Sequence, residues 1–345
     1  MSDRARGERI GDGWTPDVLG EGFFARALPV PDDSLGKAEA TLVAYSPGGP
    51  PGPDGPPDSS SAVDAGPGRD GFDVLYVHGW SDYFFQRHVA EYWHRLGGRF
   101  FAVDLRRYGR SLRPGDIPGY VTDLTLYDAE FDAALEVIGR RRGRRLIVMG
   151  HSTGGLTAAL WAHRHPGVAS ALVLNSPWLE FQASAAVRKA ITPLVTLGAR
   201  RRTPRPIPQI DFGFYSRSTS AEFDGEWTYD PHWRPERAFP IQPAWLGAIF
   251  AGHRRVSEGL GVTVPVLVLL SARSALGARW SDDMMHADSV LNVDLVARRS
   301  MSIGPVVTVV RLPGALHDVF LSERTVRDRA AAEITRWLRA YVPDD

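Results

Sequence analysis

The 345-residue sequence predicts an α/β fold: a mostly parallel sheet, helices on both faces, and one inserted segment. Three observations predict it. Short apolar runs alternate with stretches of helical spacing. The runs are apolar at consecutive positions, as strands covered on both faces are. The alternation stops once, between Trp178 and about Gly261, and then resumes.

The elements read in order. Phe23–Val30 and Glu39–Tyr45 are strands. Ser46–Gly71 holds seven Pro, seven Gly and four Ser and almost no large apolar side chain. Such a stretch buries too little surface to offset its ordering entropy. It reads as a flexible surface loop, with a Pro-rich ligand for a recognition module as the alternative. Because strands flank it, it lies inside a domain. Phe72–His78 is a strand, Tyr83–Leu96 a helix, Arg99–Leu105 a strand and Thr125–Arg142 a helix with Leu126, Phe131, Leu135 and Ile138 on one face. Arg145–Met149 is a strand, Gly154–His165 a helix and Val168–Asn175 a strand. Val264–Leu270 and Val306–Leu312 are strands, and Ser322–Tyr341 is a closing helix.

The interruption is rich in aromatics, with Phe212, Phe214, Tyr215, Phe223, Trp227, Tyr229, Trp233, Phe239, Trp245 and Phe250 close together. Residues 1–178 and 262–345 therefore read as one α/β core, and residues 179–261 as a cap inserted on one edge of the sheet. Its aromatics either cover an acyl-binding pocket or build a small core of the cap's own. Arg200, Arg201, Arg202 and Arg205 read as a solvated face, with an anionic headgroup or carboxylate as the alternative partner.

Composition narrows the function. With 40 basic and 40 acidic residues the formal charge is zero, which disfavours nucleic-acid binding. The chain has no cysteine, so disulfides, thiolate nucleophiles and cysteine-held metals are excluded. Met1–Val30 has no apolar run of the signal-peptide kind, and the longest apolar run, Val262–Leu270, is too short to span a bilayer. The expectation is a soluble, cytoplasmic protein.

Chemistry concentrates at Gly150-His151-Ser152-Thr153-Gly154, a Gly-x-Ser-x-Gly sequence. A strand runs into it and a helix runs out, the context of a nucleophile elbow. The glycines let the chain turn sharply with the serine at the tip. A Gly-x-Gly-x-x-Gly spacing with a following Lys is absent, which disfavours a phosphate loop. A serine hydroxyl needs a base. His317 follows the last strand and so lies on the same rim of the sheet as Ser152. His151 abuts the serine but points elsewhere; His232 and His253 read as surface or pocket-lining.

The base needs an acid to orient it, placed in chain order between nucleophile and histidine. Asp282, Asp283, Asp288 and Asp294 all qualify; Asp288, leading the apolar segment after it, is preferred, and a helix N-cap is its alternative role. The oxyanion site needs two backbone donors. Thr153 N–H, after the nucleophile, is one. Trp80 N–H, in His78-Gly79-Trp80-Ser81, is the other. The Trp80 side chain then lines the acyl pocket or simply packs between loop and sheet.

Together His78-Gly79, Asp104-Leu-Arg-Arg-Tyr-Gly-Arg-Ser111, Gly150-His-Ser-Thr-Gly-Gly155, Ala287-Asp-Ser-Val290 and Gly314-Ala-Leu-His317 resemble the α/β-hydrolase superfamily, and within it the serine aminopeptidase and monoacylglycerol-lipase-like branch. The resemblance implies an α/β-hydrolase fold, a Ser152, Asp288 and His317 triad, and a cap over the site. Two features depart from the family: Arg107 stands where a Gly is usual, and the loop carrying the acid is extended.

The function expected is a serine hydrolase of carboxylic esters, lipase- or esterase-like, acting through an acyl-enzyme on an acylglycerol or lysophospholipid. An acyltransferase or aminopeptidase using the same triad is the alternative. A non-catalytic binding protein of this fold is another, but it would be expected to lack the Ser or the His. No metal or organic cofactor is implied. The partner is a small-molecule acyl substrate, with no nucleic acid and no integral membrane segment.

Overall fold

A computed structural model describes residues 13–52, 71–139, 144–182, 205–207 and 211–342. Most of the Pro/Gly-rich stretch, and Arg200, Arg201 and Arg202, lie outside the described residues; Arg205 is exposed.

The strands are β1 (Thr15–Pro16), β2 (Phe23–Pro29), β3 (Glu39–Tyr45), β4 (Phe72–Val77), β5 (Arg99–Asp104), β6 (Arg145–His151), β7 (Ala171–Asn175), β8 (Val266–Ser271) and β9 (Val307–Leu312). Among the described residues they form one nine-stranded sheet in the order β1-β2-β3-β5-β4-β6-β7-β8-β9. β1, β2 and β3 pair antiparallel, and β3 pairs antiparallel with β5. From β5 to β9 every pairing is parallel.

The helices are α1 (Arg87–Arg95), α2 (Asp128–Ile138), α3 (Thr153–Arg164), α4 (Phe214–Thr219), α5 (Pro243–Ser257), α6 (Val293–Ser300) and α7 (Arg324–Tyr341). One face of the sheet packs on Phe131 of α2, Leu156 and Trp161 of α3, Trp245 and Ile249 of α5, and Val296 of α6. The other face packs on Val89 and Trp93 of α1 and on Val326, Ala330, Ile334 and Trp337 of α7. That α7 spacing is a single apolar stripe, enough to seat a helix on a sheet. Two covered faces explain why β7 and β8 are buried at every position. Among the described residues no helix is long and apolar enough to cross a membrane.

Three of the boundaries that differ from the sequence reading have a clear local setting. α1 begins at Arg87, not Tyr83, because side chains take the preceding amides: Phe84 N–H donates to Asp104 Oδ1 (3.1 Å) and Phe85 N–H to Gln86 Oε1 (3.0 Å). α2 stops at Ile138, where Gly139 turns the chain at φ 66°. Val168 lies before β7, which starts at Ala171. β1, α4, α5 and α6 carry no element in the sequence reading.

The resemblance's departure at Arg107 has a local cause. Its φ is 62°, a left-handed conformation that favours glycine. Arg107 is buried there and its guanidinium pairs with Asp33, with Nη2 at 2.8 Å from Oδ1. The bidentate pair holds the side chain against the backbone strain.

Candidate active site

Ser152 sits between β6 and α3 with φ 51° and ψ −115°. The turn is possible only because its neighbours lack side chains. A Cβ on Gly150 would lie 2.5 Å from the Gly154 carbonyl oxygen, and one on Gly154 would lie 2.3 Å from the His78 carbonyl oxygen. Ser152 N–H donates to the Asn175 carbonyl (3.0 Å), while its own carbonyl accepts from Gly155, Leu156 and Trp178. The elbow is thereby tied to the ends of β6 and β7.

His317 Nε2 lies 3.1 Å from Ser152 Oγ, and His317 Nδ1 lies 2.9 Å from Asp288 Oδ2. With the proton on Nδ1, that nitrogen donates to Asp288 and Nε2 is free to accept from the serine. All three residues are buried. Asp288 Oδ1 accepts from Val290 N–H (2.8 Å) and Leu291 N–H (2.7 Å), so the carboxylate also caps its own turn. It is not the N-cap of α6; Asn292 is, through Oδ1 to Leu295 N–H. The other candidate acids point away: Asp283 pairs with Arg273 and Asp294 with Arg311 at the surface, and Asp282 is exposed.

Thr153 and Trp80 both line the cavity in front of Ser152. Among the described residues neither backbone N–H donates to a protein acceptor. The loop between them is fixed from below by His78, whose Nδ1–H donates to the Gly79 carbonyl and whose Nε2 accepts from Leu105 N–H. Burial pushes the His78 pKa down, consistent with that neutral form.

The cavity is about 560 Å³. Trp80, Trp178 and Trp245 pack together as one apolar wall, and Ile241, Asp82, Tyr215 and Arg234 also line the cavity. The Trp80 and Trp245 ring centroids are 3.7 Å apart, and Tyr215 sets an edge against His317 at 5.4 Å. Trp80 thus both lines the cavity and packs. Trp178 and Arg234 were missing from the sequence reading of the site.

A buried polar cluster holds Asp318, the residue that follows the histidine. Asn175 donates through Nδ2 to Asp318 Oδ1 (2.6 Å), and its Oδ1 accepts from Val319 N–H (3.2 Å). Gln86 Nε2 donates to Asp318 Oδ2 (2.9 Å). Burial acts to raise the Asp318 pKa, but His151 and these hydrogen bonds outweigh it and hold the carboxyl below its usual range. The buried His151 ring is 4.9 Å from His317, and burial pushes its pKa down. His253, expected at the surface or the pocket, is instead buried behind the wall, with Nε2 at 2.8 Å from the Trp178 carbonyl.

The sequence pattern of the family described as serine aminopeptidase S33 matches residues 73–320. The chain belongs to the serine aminopeptidase S33 family. Among relatives of this S33 protein is a monoacylglycerol lipase of Mycolicibacterium smegmatis, 24% identical over 275 residues, covering 78% of this chain and 88% of that one. Among solved structures, the monoacylglycerol lipase of Paleococcus ferrophilus superposes with a TM-score of 0.58 at 18% identity, covering 78% of this chain and 94% of that one. A carboxyl esterase of Bacillus coagulans gives 0.59 at 15% identity over 92% of this chain and 99% of that one. These likenesses establish the α/β-hydrolase fold, and the S33 family makes the chain a hydrolase.

Proposed function

We propose that this S33 hydrolase cleaves carboxylic esters through a serine acyl-enzyme. The observation that carries the reading is the continuous contact Ser152 Oγ–His317 Nε2 and His317 Nδ1–Asp288 Oδ2, opening onto the cavity. Ser152 Oγ attacks the acyl carbon while His317 takes its proton. Asp288 orients the imidazole and stabilises its charge. The Trp80 and Thr153 amides receive the oxyanion. Collapse breaks the bond to the alcohol, which leaves with the proton from His317. Water then repeats the sequence on the acyl-enzyme, freeing the acid and restoring Ser152.

We read the inserted segment 179–261 as the cap, with Tyr215, Ile241 and Trp245 lining the cavity; its α5 packs on the sheet itself. The tryptophan wall suits an apolar acyl chain. We read the substrate as an acylglycerol-like ester, a reading supported by the relatives named as monoacylglycerol lipases. A fluorophosphonate probe tests it: peptide mass spectrometry is expected to find the label on Ser152, and a folded sample that takes no label there sinks the proposal. Added alcohols and aminoacyl amides as competing substrates report any transferase or aminopeptidase activity.

A further inference from the structure

Four consecutive residues of the loop after β4 are each fastened to the inserted segment between residues 230 and 245. The Trp80 ring packs against Trp245 at a tilt, with centroids 3.7 Å apart. Ser81 Oγ accepts from Phe239 N–H at 3.0 Å. The Asp82 carboxylate faces Arg234, with Oδ1 at 3.4 Å from Nε. The Tyr83 hydroxyl accepts from Asp230 N–H at 2.8 Å, and its ring meets Trp233 edge-on at 5.0 Å.

This loop has reason to need outside support. Ser81 has a φ of 51°, in the left-handed region. A non-glycine residue held there is strained and persists only where its surroundings over-determine it. Those surroundings are the inserted segment. Arg234 is the centre of the attachment. It is buried, it lies over the Tyr229 ring at 4.2 Å and the Tyr215 ring at 4.9 Å, and its Nη1 donates to Thr219 Oγ1 at 3.3 Å. An apolar pair of the same volume would stabilise such a site at least as well as a buried ion pair. The charges are better explained by the geometry they impose. Asp82 is also two residues from the Trp80 amide, and an uncompensated carboxylate there would oppose a developing oxyanion in a low-dielectric site.

Resting on the ester-hydrolase reading above, we propose that Arg234 is a positioning residue for the oxyanion site. Paired with Asp82, it fixes the Trp80 amide from the cap side and neutralises the one carboxylate on that loop. The cap segment from 230 to 245 is then part of the catalytic frame rather than a cover over it.

The test separates transition-state from ground-state binding in Arg234→Met. Two inhibitors are used on the full chain. One is a trifluoromethyl ketone, to which Ser152 Oγ adds to leave an oxyanion. The other is the matching ether, which has no carbonyl. Removing an oxyanion donor outright costs about 10²- to 10³-fold; Arg234→Met displaces one without removing it, so kcat is expected to fall about 10- to 100-fold and ketone affinity in step with it. KM and ether affinity should stay within about threefold of wild type, because ground-state binding does not use this interaction. Adding Asp82→Asn to Arg234→Met should recover about tenfold in kcat, since the unpaired charge is removed. Ser81→Ala, which deletes the Phe239 anchor and no charge, should show the same ketone-specific loss and serves if Arg234→Met does not fold. Equal losses for ketone and ether, or a double variant no better than the single, overturn the proposal. A wild type that binds the ketone no better than the ether overturns the ester-hydrolase reading beneath it instead.

Discussion

Asp288 faces His317 Nδ1 at 2.9 Å through one carboxylate oxygen and holds its own turn through the other. The two tasks separate in two variants. In Asp288→Asn an oxygen can still accept from Val290 and Leu291, but an amide placed against Nδ1 favours the tautomer with the proton on Nε2. That tautomer cannot accept from Ser152, so kcat/KM should fall on the order of 10⁴-fold with little change in melting temperature. Asp288→Ala should lose the same activity and also about 1–3 kcal/mol of stability, from two unpaired amides. Ester kinetics and thermal melts of both variants check this. Near-wild-type turnover in Asp288→Asn would remove Asp288 from the role.

Ser152 carries backbone strain, and its sign can be measured. At φ 51° a side chain costs about 1–3 kcal/mol, while glycine adopts that region freely. At most sites Ala is more stable than Gly by about 0.5–1 kcal/mol. Here the order should reverse: Ser152→Gly should melt above Ser152→Ala by about 1 kcal/mol, with both inactive. Chemical denaturation of the pair decides it, and the ordinary Ala-over-Gly order would show that the elbow is relaxed.

The parts of this site that the sequence displayed are those set by local geometry. A strand, Gly-x-Ser-x-Gly and a helix suffice to aim Ser152, because the clashes that forbid a Cβ at Gly150 or Gly154 arise within the elbow and the strand beside it. His317 is likewise placed by the exit of β9. The acid was less legible. Asp288, and neither Asp282 nor Asp283, reaches His317 because Asp288 N–H donates to the Arg273 carbonyl and Ala275 N–H to the Asp288 carbonyl. Those bonds fold the extended loop back on the end of β8, across a separation that spacing does not encode. Arg234 was less legible still, since its partner Asp82 is 152 positions away in the chain. The start of α1 was misread because Asp104 and Gln86 take amides that helical periodicity assigns to the helix.

Stability should fall on mild acidification, and His88 is one source. Burial first, and then the charge of Arg327, push its pKa from 6.5 down to about 4. Its Nε2–H donates to the Phe320 carbonyl at 2.9 Å, and the ring stacks on Trp227 at 4.8 Å. The unfolded chain takes up a proton below pH 6.5 that the folded chain refuses until about pH 4. Stability is therefore fully present above about pH 6.5 and lost as pH falls toward 4, by at most about 3 kcal/mol from this residue. Burial pushes His78 and His151 the same way, adding to the slope. Urea unfolding at pH 7.5 and pH 5 should show the loss in wild type and a smaller one in His88→Gln, whose amide can still donate to Phe320. Equal slopes would exclude His88.

Trp178 gives the most direct test of what the cavity accepts. It follows β7, its N–H donates to the Ser152 carbonyl, and its ring stands 6.1 Å from Trp245 on the apolar wall. Truncation to Ala keeps the backbone bond to the elbow and removes only wall. An acetyl group reaches little beyond the reacting carbon, so p-nitrophenyl acetate turnover should change by no more than about threefold. An octanoyl chain must lie against that wall. Removing an indole from its contact forfeits about 1.5–3 kcal/mol of apolar burial, which is about 10- to 100-fold in kcat/KM for the octanoate. The effect should appear mainly in KM, because the chain contributes equally in ground and transition states. Equal losses on both esters would mean that Trp178 shapes the elbow rather than the acyl pocket. A wild type that strictly prefers acetate would remove the apolar-chain reading altogether.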